Sequence, residues 1–151
     1  MTEKKRCEWV EGTFQQYVDY HDREWGVPVH DDQVLFEFLI LESAQAGLSW
    51  STILKKRESY REAFAGFDPE KVARFDNSDV ERLMQNDGIV RYDKKIRSAI
   101  KNAKSFLEVQ KEFGSFDTYI WDFVDHEPII NAPKTLTEVP AKTELSNRIA
   151  K

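Results

Sequence analysis

The chain has 151 residues and a net charge of -5, from 22 Lys and Arg against 27 Asp and Glu. That is the length of one domain, 1–151, long enough to bury roughly 70% of the surface its unfolded form exposes, and 13% aromatic content excludes a disordered polyelectrolyte. The one cysteine, Cys7, excludes an intrachain disulfide framework, Glu37 and Glu42 break up the best apolar run near Val34 to Leu41, so no membrane span is expected, and Thr2 to Glu8 lacks the apolar stretch of a secretory leader, which makes the cytoplasm the expected compartment.

The segment up to about Val29 is aromatic and reads as irregular. Asp31 or Asp32 then caps a helix through about Ala46, which Gly47 ends. Ser49 caps the next, running to about Ala65 before Gly66. Asp68-Pro69-Glu70 is a helix start, a capping residue followed by proline at the first helical position. Asn77 or Ser78 opens a short helix that ends before Gly88. Residues 93–112 form a longer helix, with Ile96, Ile100, Ala103 and Leu107 at helical spacing. Gly114-Ser115 breaks it, and Phe116 to Val124 resumes. Pro128, Pro133 and Pro140 mark an extended loop, and Thr143 starts a last helix whose stripe, Leu145 and Ile149, is marginal unless it docks. No segment alternates with period two for long, so the expected fold is all-α, a compact bundle of short helices.

Charge is unevenly placed. Residues 91–104 carry +5 and residues 55–61 carry +3, so the rest of the chain carries -13. Two compact basic stretches on an acidic chain suit a phosphate backbone, although a single charge run more often marks a solvated helix face. The first stretch follows Asn86-Asp87-Gly88-Ile89-Val90-Arg91-Tyr92. There Gly88 permits a tight turn with exposed N–H groups, and the next helix offers its N-terminus to an anion. That combination fits a helix–hairpin–helix grip on DNA phosphates through Gly88, Ile89, Arg91, Lys94 and Lys95.

Glu42 is the most informative acid. Leu35, Phe38, Leu39 and Ala46 share its helical face, and a carboxylate in such a stripe is costly to bury unless paired. A functional carboxylate and a structural ion pair fit equally well. Glu37, with Gln33 and Ala44 on its face, is less informative. Trp9, Tyr17, Tyr20, Trp25 and Trp50 crowd the first third of the chain. Each alone is most simply a core residue, but together near Glu42 they suit a pocket that stacks on a planar ring. Cys7, His21, His30 and His126 have no short metal-finger spacing, although His21-Asp22 and His30-Asp31-Asp32 resemble steps of metal-dependent phosphohydrolases.

Several long segments together resemble the 3-methyladenine DNA glycosylase I family of the helix–hairpin–helix glycosylase superfamily. They are Arg6 to Val10, Tyr17 to Pro28, Leu41 to Trp50 with Ile53 to Arg57, Phe67 to Ala73, Gly88 to Arg91 with Lys95-Ile96, and Trp121 to Pro128. The resemblance covers nearly the whole chain. It implies excision of 3-methyladenine from alkylated double-stranded DNA, with the base flipped out of the stack; no lysine sits in the pocket segments, so a monofunctional hydrolase acting as a monomer is expected. The resemblance implies a buried pocket glutamate at Glu42 and base-contacting aromatics at Trp50, Tyr20, Tyr17 and Trp25, to which the clustering in sequence adds Trp9 as a base-binding residue. It also implies a structural zinc joining the chain ends, with Cys7 and His21 as ligands. The C-terminal His and Cys ligands, and the helix and tail bearing them, have no counterpart in this chain. Two further readings stay open: a non-catalytic lesion binder, and a metal-dependent phosphohydrolase using the His-Asp pairs.

Overall fold

The structure is a computed structural model that describes residues 4–151; the first residues of the N-terminal stretch read for a leader, 1–3, lie outside it. Its described residues form eight α-helices and no strand: α1 Gln15–Arg23, α2 Asp32–Ala44, α3 Trp50–Ala63, α4 Pro69–Ala73, α5 Asn77–Met84, α6 Asp93–Phe113, α7 Phe116–Asp122 and α8 Glu144–Ile149. Short 3-10 turns lie at Glu8–Val10, Ala65–Phe67 and Leu136–Glu138. None of these helices is long and apolar enough to cross a membrane.

Local chemistry places most boundaries where the sequence puts them. Asp31 caps α2 by accepting from Val34 N–H at 3.1 Å, and Ser49 caps α3 through Thr52 N–H at 3.2 Å. Asp68 caps α4 ahead of Pro69. Asp76, one residue before the expected Asn77 or Ser78, caps α5 in a reciprocal capping box with Asp79. Asp32, the other candidate cap for α2, acts at long range instead. Its carboxylate accepts from Phe116 N–H (2.9 Å), Asp117 N–H (2.8 Å) and Gln110 Nε2 (2.8 Å), so it ties the start of α7 to α2.

α6 is the central helix. It buries Ile96, Ala99, Ile100, Ala103 and Phe106 against α2, α4, α5 and α7. Phe106, rather than the expected Leu107, completes the stripe, and it packs on Phe36 (5.2 Å) and Phe116 (4.5 Å). Phe36, Leu41, Ile53, Phe64, Phe67 and Leu83 fill the remaining centre.

One element departs from the sequence reading. The N-terminal segment read as irregular contains α1. Phe14 precedes it without any side-chain cap, and no residue of α1 is fully buried, so neither signal of a helix start or of a core stripe is present. Packing of α1 on α3 and on the Glu8–Val10 turn supplies what the local sequence lacks. At the other end, α8 is capped by a Thr143–Ser146 capping box, and Arg148 docks it by donating to Phe123 O at 3.0 Å with its guanidinium over the Phe123 ring.

Candidate active site

α2 is apolar nearly all round, and its two sides do different work. Phe36, Glu37, Ile40, Leu41 and Ala44 face inward and are buried. Leu35, Phe38, Leu39 and Glu42 face the other way, where Leu39 and Glu42 are open to solvent. The expectation of a buried Glu42 is therefore corrected. Its apolar neighbours form the wall of an open depression and not the core.

The buried glutamate is Glu37. It is 7% exposed, and its Oε1 accepts from Arg57 Nε at 2.8 Å and Arg61 Nε at 2.9 Å. The structural ion pair considered for Glu42 belongs to Glu37. The Glu42 carboxylate has no ion-pair or hydrogen-bond partner among the described residues, and partial desolvation by its surroundings raises its pKa above the ordinary glutamate value.

Every aromatic singled out from the sequence is at this place. A depression of about 240 Å³ is lined by Trp9, Tyr17, Tyr20, Trp25, Glu42, Gln45 and Trp50. Tyr17 and Tyr20 come from α1, Trp25 from the turn after it, Trp9 from the first 3-10 turn and Trp50 from the first position of α3. Trp9 packs on Tyr17 and edge-on to Trp25, both at 5.3 Å between ring centres. Tyr20 lies 5.4 Å from Trp50, and Phe38 lies nearly parallel to Trp50 at 6.5 Å. A wider groove of about 760 Å³ continues from Glu42 along Phe38, Leu35, Glu24 and Val27 towards Ile120 and Leu145. Another open groove, about 990 Å³ beside α8 and the turn at Val124, brings together no ring cluster around a carboxylate.

Burial, then the charges of Glu42 and Glu24, push the Tyr20 phenol up to about 12, so it stays a hydrogen-bond donor at neutral pH. The Trp50 indole N–H is buried without a hydrogen-bond partner among the described residues, so packing alone fixes that ring. Phe38, Glu24 and Gln45 were not picked out as site residues from the sequence. The i,i+4 spacing of Phe38 to Glu42 is the signal that points to the first of them.

The hairpin departs more from expectation. Gly88 does not have positive φ. Its need for no side chain comes from close approach: an added Cβ would fall 2.5 Å from Ser59 Oγ and 2.7 Å from Ser59 Cβ. Two of the turn's N–H groups are already committed to side chains. Gly88 N–H is bound by Asn86 Oδ1 (2.9 Å), and Val90 N–H by the Tyr60 hydroxyl (3.1 Å). Ile89 is a core residue, 2% exposed. Lys95 turns inward, and its ammonium donates to Ala44 O (2.9 Å) and Ala46 O (2.6 Å) at the end of α2. Arg91 and Lys94 remain on the surface, at the start of α6, whose N-terminus has no side-chain cap. Gly88→Ala should cost about 1–3 kcal/mol through overpacking, and Ser59→Gly should restore part of it, read by urea unfolding.

The two His-Asp steps do not converge. His21 Nδ1 meets Asp22 Oδ1 at 3.0 Å, whereas His30 Nδ1 meets Asp117 Oδ1 at 2.7 Å and stacks on Trp121. Asp31 and Asp32 are both committed to capping. That geometry removes the support for a phosphohydrolase centre. Cys7 and His21 are adjacent as expected, with Cys7 N–H donating to His21 Nε2 at 3.4 Å. Among the described residues no group of three or more His, Cys, Asp or Glu is placed to hold a metal. A structural zinc needs four donors, so the two present fit half of one.

An all-helical body whose rings surround an unpaired carboxylate has the architecture of a protein that takes in a flat, electron-poor ring. Residues 9–151 match the methyladenine glycosylase family. The chain is 51% identical over 146 residues to a DNA-3-methyladenine glycosylase of Haemophilus influenzae, covering 97% of this chain and 78% of that protein. A crystal structure of 3-methyladenine DNA glycosylase I superposes with a TM-score of 0.92 at 46% identity, over 97% of this chain and 80% of that one. A structure of the Staphylococcus aureus enzyme that defines its 3-methyladenine recognition superposes at 0.89 and 38% identity, over 93% and 75%. The chain belongs to the methyladenine glycosylase family.

Proposed function

We infer that this chain is a DNA base-excision repair glycosylase that hydrolyses the N-glycosidic bond of 3-methyladenine in alkylated DNA. The observation that carries the reading is Glu42, a partly desolvated carboxylate with no partner of its own among the described residues, set in a ring of five Trp and Tyr side chains. The S. aureus relative recognises 3-methyladenine, a flat base that carries positive charge in DNA. Such a base stacks on aromatic faces, and its N–H groups donate to an ionised carboxylate. Neutral adenine gains much less from the same anion, which gives selectivity without rejecting adenine by shape.

The charge on the base already weakens the bond to the sugar, so the protein's task is to extrude the base, hold it and exclude alternatives. Glu42 accepts the N–H donors, Trp50 and Tyr20 hold the ring, and Tyr17, Trp9 and Trp25 complete the wall. The C1′–N bond breaks with its electron pair going to the base, which leaves neutral, and a water oxygen bonds to C1′ as its proton passes to solvent. No lysine lines either cavity at Glu42, in keeping with a monofunctional enzyme that leaves an abasic site. We take the partner to be duplex DNA, bound by a monomer in the cytoplasm, with Arg91, Lys94 and the uncapped start of α6 on the phosphate backbone.

Free base appearing from alkylated DNA, with no strand cleavage, is the test. The two lysines at the start of α6 should separate. Lys94→Ala should lower the salt slope of binding to damaged and undamaged duplex alike by about one. Lys95→Ala should leave the slope unchanged and lower thermal stability instead, because it removes the donor from two α2 carbonyls.

A further inference from the structure

The pocket residues stand on a second layer of side chains, and one residue joins that layer together. Tyr20 and Glu24 are four apart at the end of α1, Phe38 and Glu42 are four apart on α2, and Trp50 and Arg57 are seven apart on α3. At those spacings each pair shares a helix face. Tyr20, Glu42 and Trp50 make the upper layer, at the depression; Glu24, Phe38 and Arg57 make the layer beneath.

Arg57 touches every part of that lower layer. Its side chain is 12% exposed. Nη1 donates to both oxygens of Glu24, at 2.9 and 2.8 Å, and Nε donates to Glu37 at 2.8 Å. Its guanidinium lies over the Phe38 ring, 5.2 Å from the centre, and Phe38 in turn packs on both Tyr20 and Trp50 at 6.5 Å. The planar fork can reach two carboxylates and a ring face at once, which an ammonium cannot.

We propose that Arg57 is the positioning residue of the base pocket, clamping α1, α2 and α3 at Glu24, Glu37 and Phe38 so that Tyr20, Glu42 and Trp50 hold the geometry that receives the base. The inference rests on the reading of the site as a 3-methyladenine pocket. Arg61 provides the contrast. It also donates to Glu37, but it is 40% exposed and its side-chain partners are Glu37 and Glu58, not Glu24 or Phe38. A residue that only stabilises the fold would behave as Arg61 does.

The experiment is titration of the purified full chain with free 3-methyladenine, followed by tryptophan fluorescence, beside titration with undamaged duplex DNA. Both are run at a temperature where circular dichroism shows each variant fully folded. Arg57→Gln should weaken base binding by about tenfold and leave duplex binding unchanged, while Arg61→Gln should bind both as wild type does. Glu24→Gln, at a partly exposed position that tolerates loss of charge, should weaken base binding about threefold, and it carries the test if Arg57→Gln does not fold. Wild-type base affinity in folded Arg57→Gln, or in Glu24→Gln where Arg57→Gln does not fold, overturns the inference. So does an Arg61→Gln loss as large as that of Arg57→Gln. A wild-type protein that binds no 3-methyladenine sinks the reading of the site as well, which separates the two failures.

Discussion

Glu42→Gln should keep the fold and lose release of 3-methyladenine by roughly 100-fold or more, the scale on which removing one preorganised electrostatic contact acts. Glutamine has the same shape but presents one carbonyl oxygen and no charge to a cationic base. The variant should not lose stability. Glu42 has a folded-state pKa raised by desolvation, so at neutral pH its ionisation works against the folded state, and that cost disappears as pH falls through the raised value. Glutamine removes the cost, so the melting temperature should stay level or rise slightly. The pH profile follows from the same direction. Only the ionised carboxylate accepts both donors, so excision falls on acidification. In kcat/KM, which reports the free enzyme, the acid limb should lie above the ordinary glutamate range. In kcat it should lie lower, because the bound cation favours ionisation.

Glu37→Ala, five residues away on the same helix, should do the opposite. The carboxylate it removes is buried and shared by two arginines, and Arg57 would keep only Glu24. Breaking a buried ion pair from one side leaves charge without its counterpart, at roughly 3 kcal/mol. For a chain of this size that lowers the melting temperature by about 6–12 °C. Thermal unfolding of the two variants side by side distinguishes a site carboxylate from a structural one. Equal losses in both would place Glu42 in the framework with Glu37.

Helix starts were legible because they are local: Asp31, Ser49, Asp68 and Thr143 each bond an N–H within three residues. α1 was hidden because nothing local specifies it; its stability comes from α3 and the first turn. The membership of the pocket was legible from clustering in sequence, since Trp9 to Trp50 fold back on one another. The environments of the two glutamates were not. Helical spacing shows which residues share a face, but α2 is apolar on both faces, so spacing alone could not say which one meets the core. The hairpin misled for a related reason. Glycine suggested a tight turn with exposed N–H groups, whereas the requirement at Gly88 is imposed by Ser59, 29 positions earlier in the sequence. Lys95 counted as one of six basic side chains, and only the fold shows its charge spent on α2 carbonyls.

The central claim is that this chain cuts a base from DNA and does not merely hold a lesion. It is tested most directly by incubating the purified protein with methylated duplex DNA and resolving the released bases by liquid chromatography. The account predicts free 3-methyladenine accumulating beyond one equivalent of enzyme, with abasic sites left in uncut strands and release lost in Glu42→Gln. Tight binding of the methylated duplex with no free base released would contradict it.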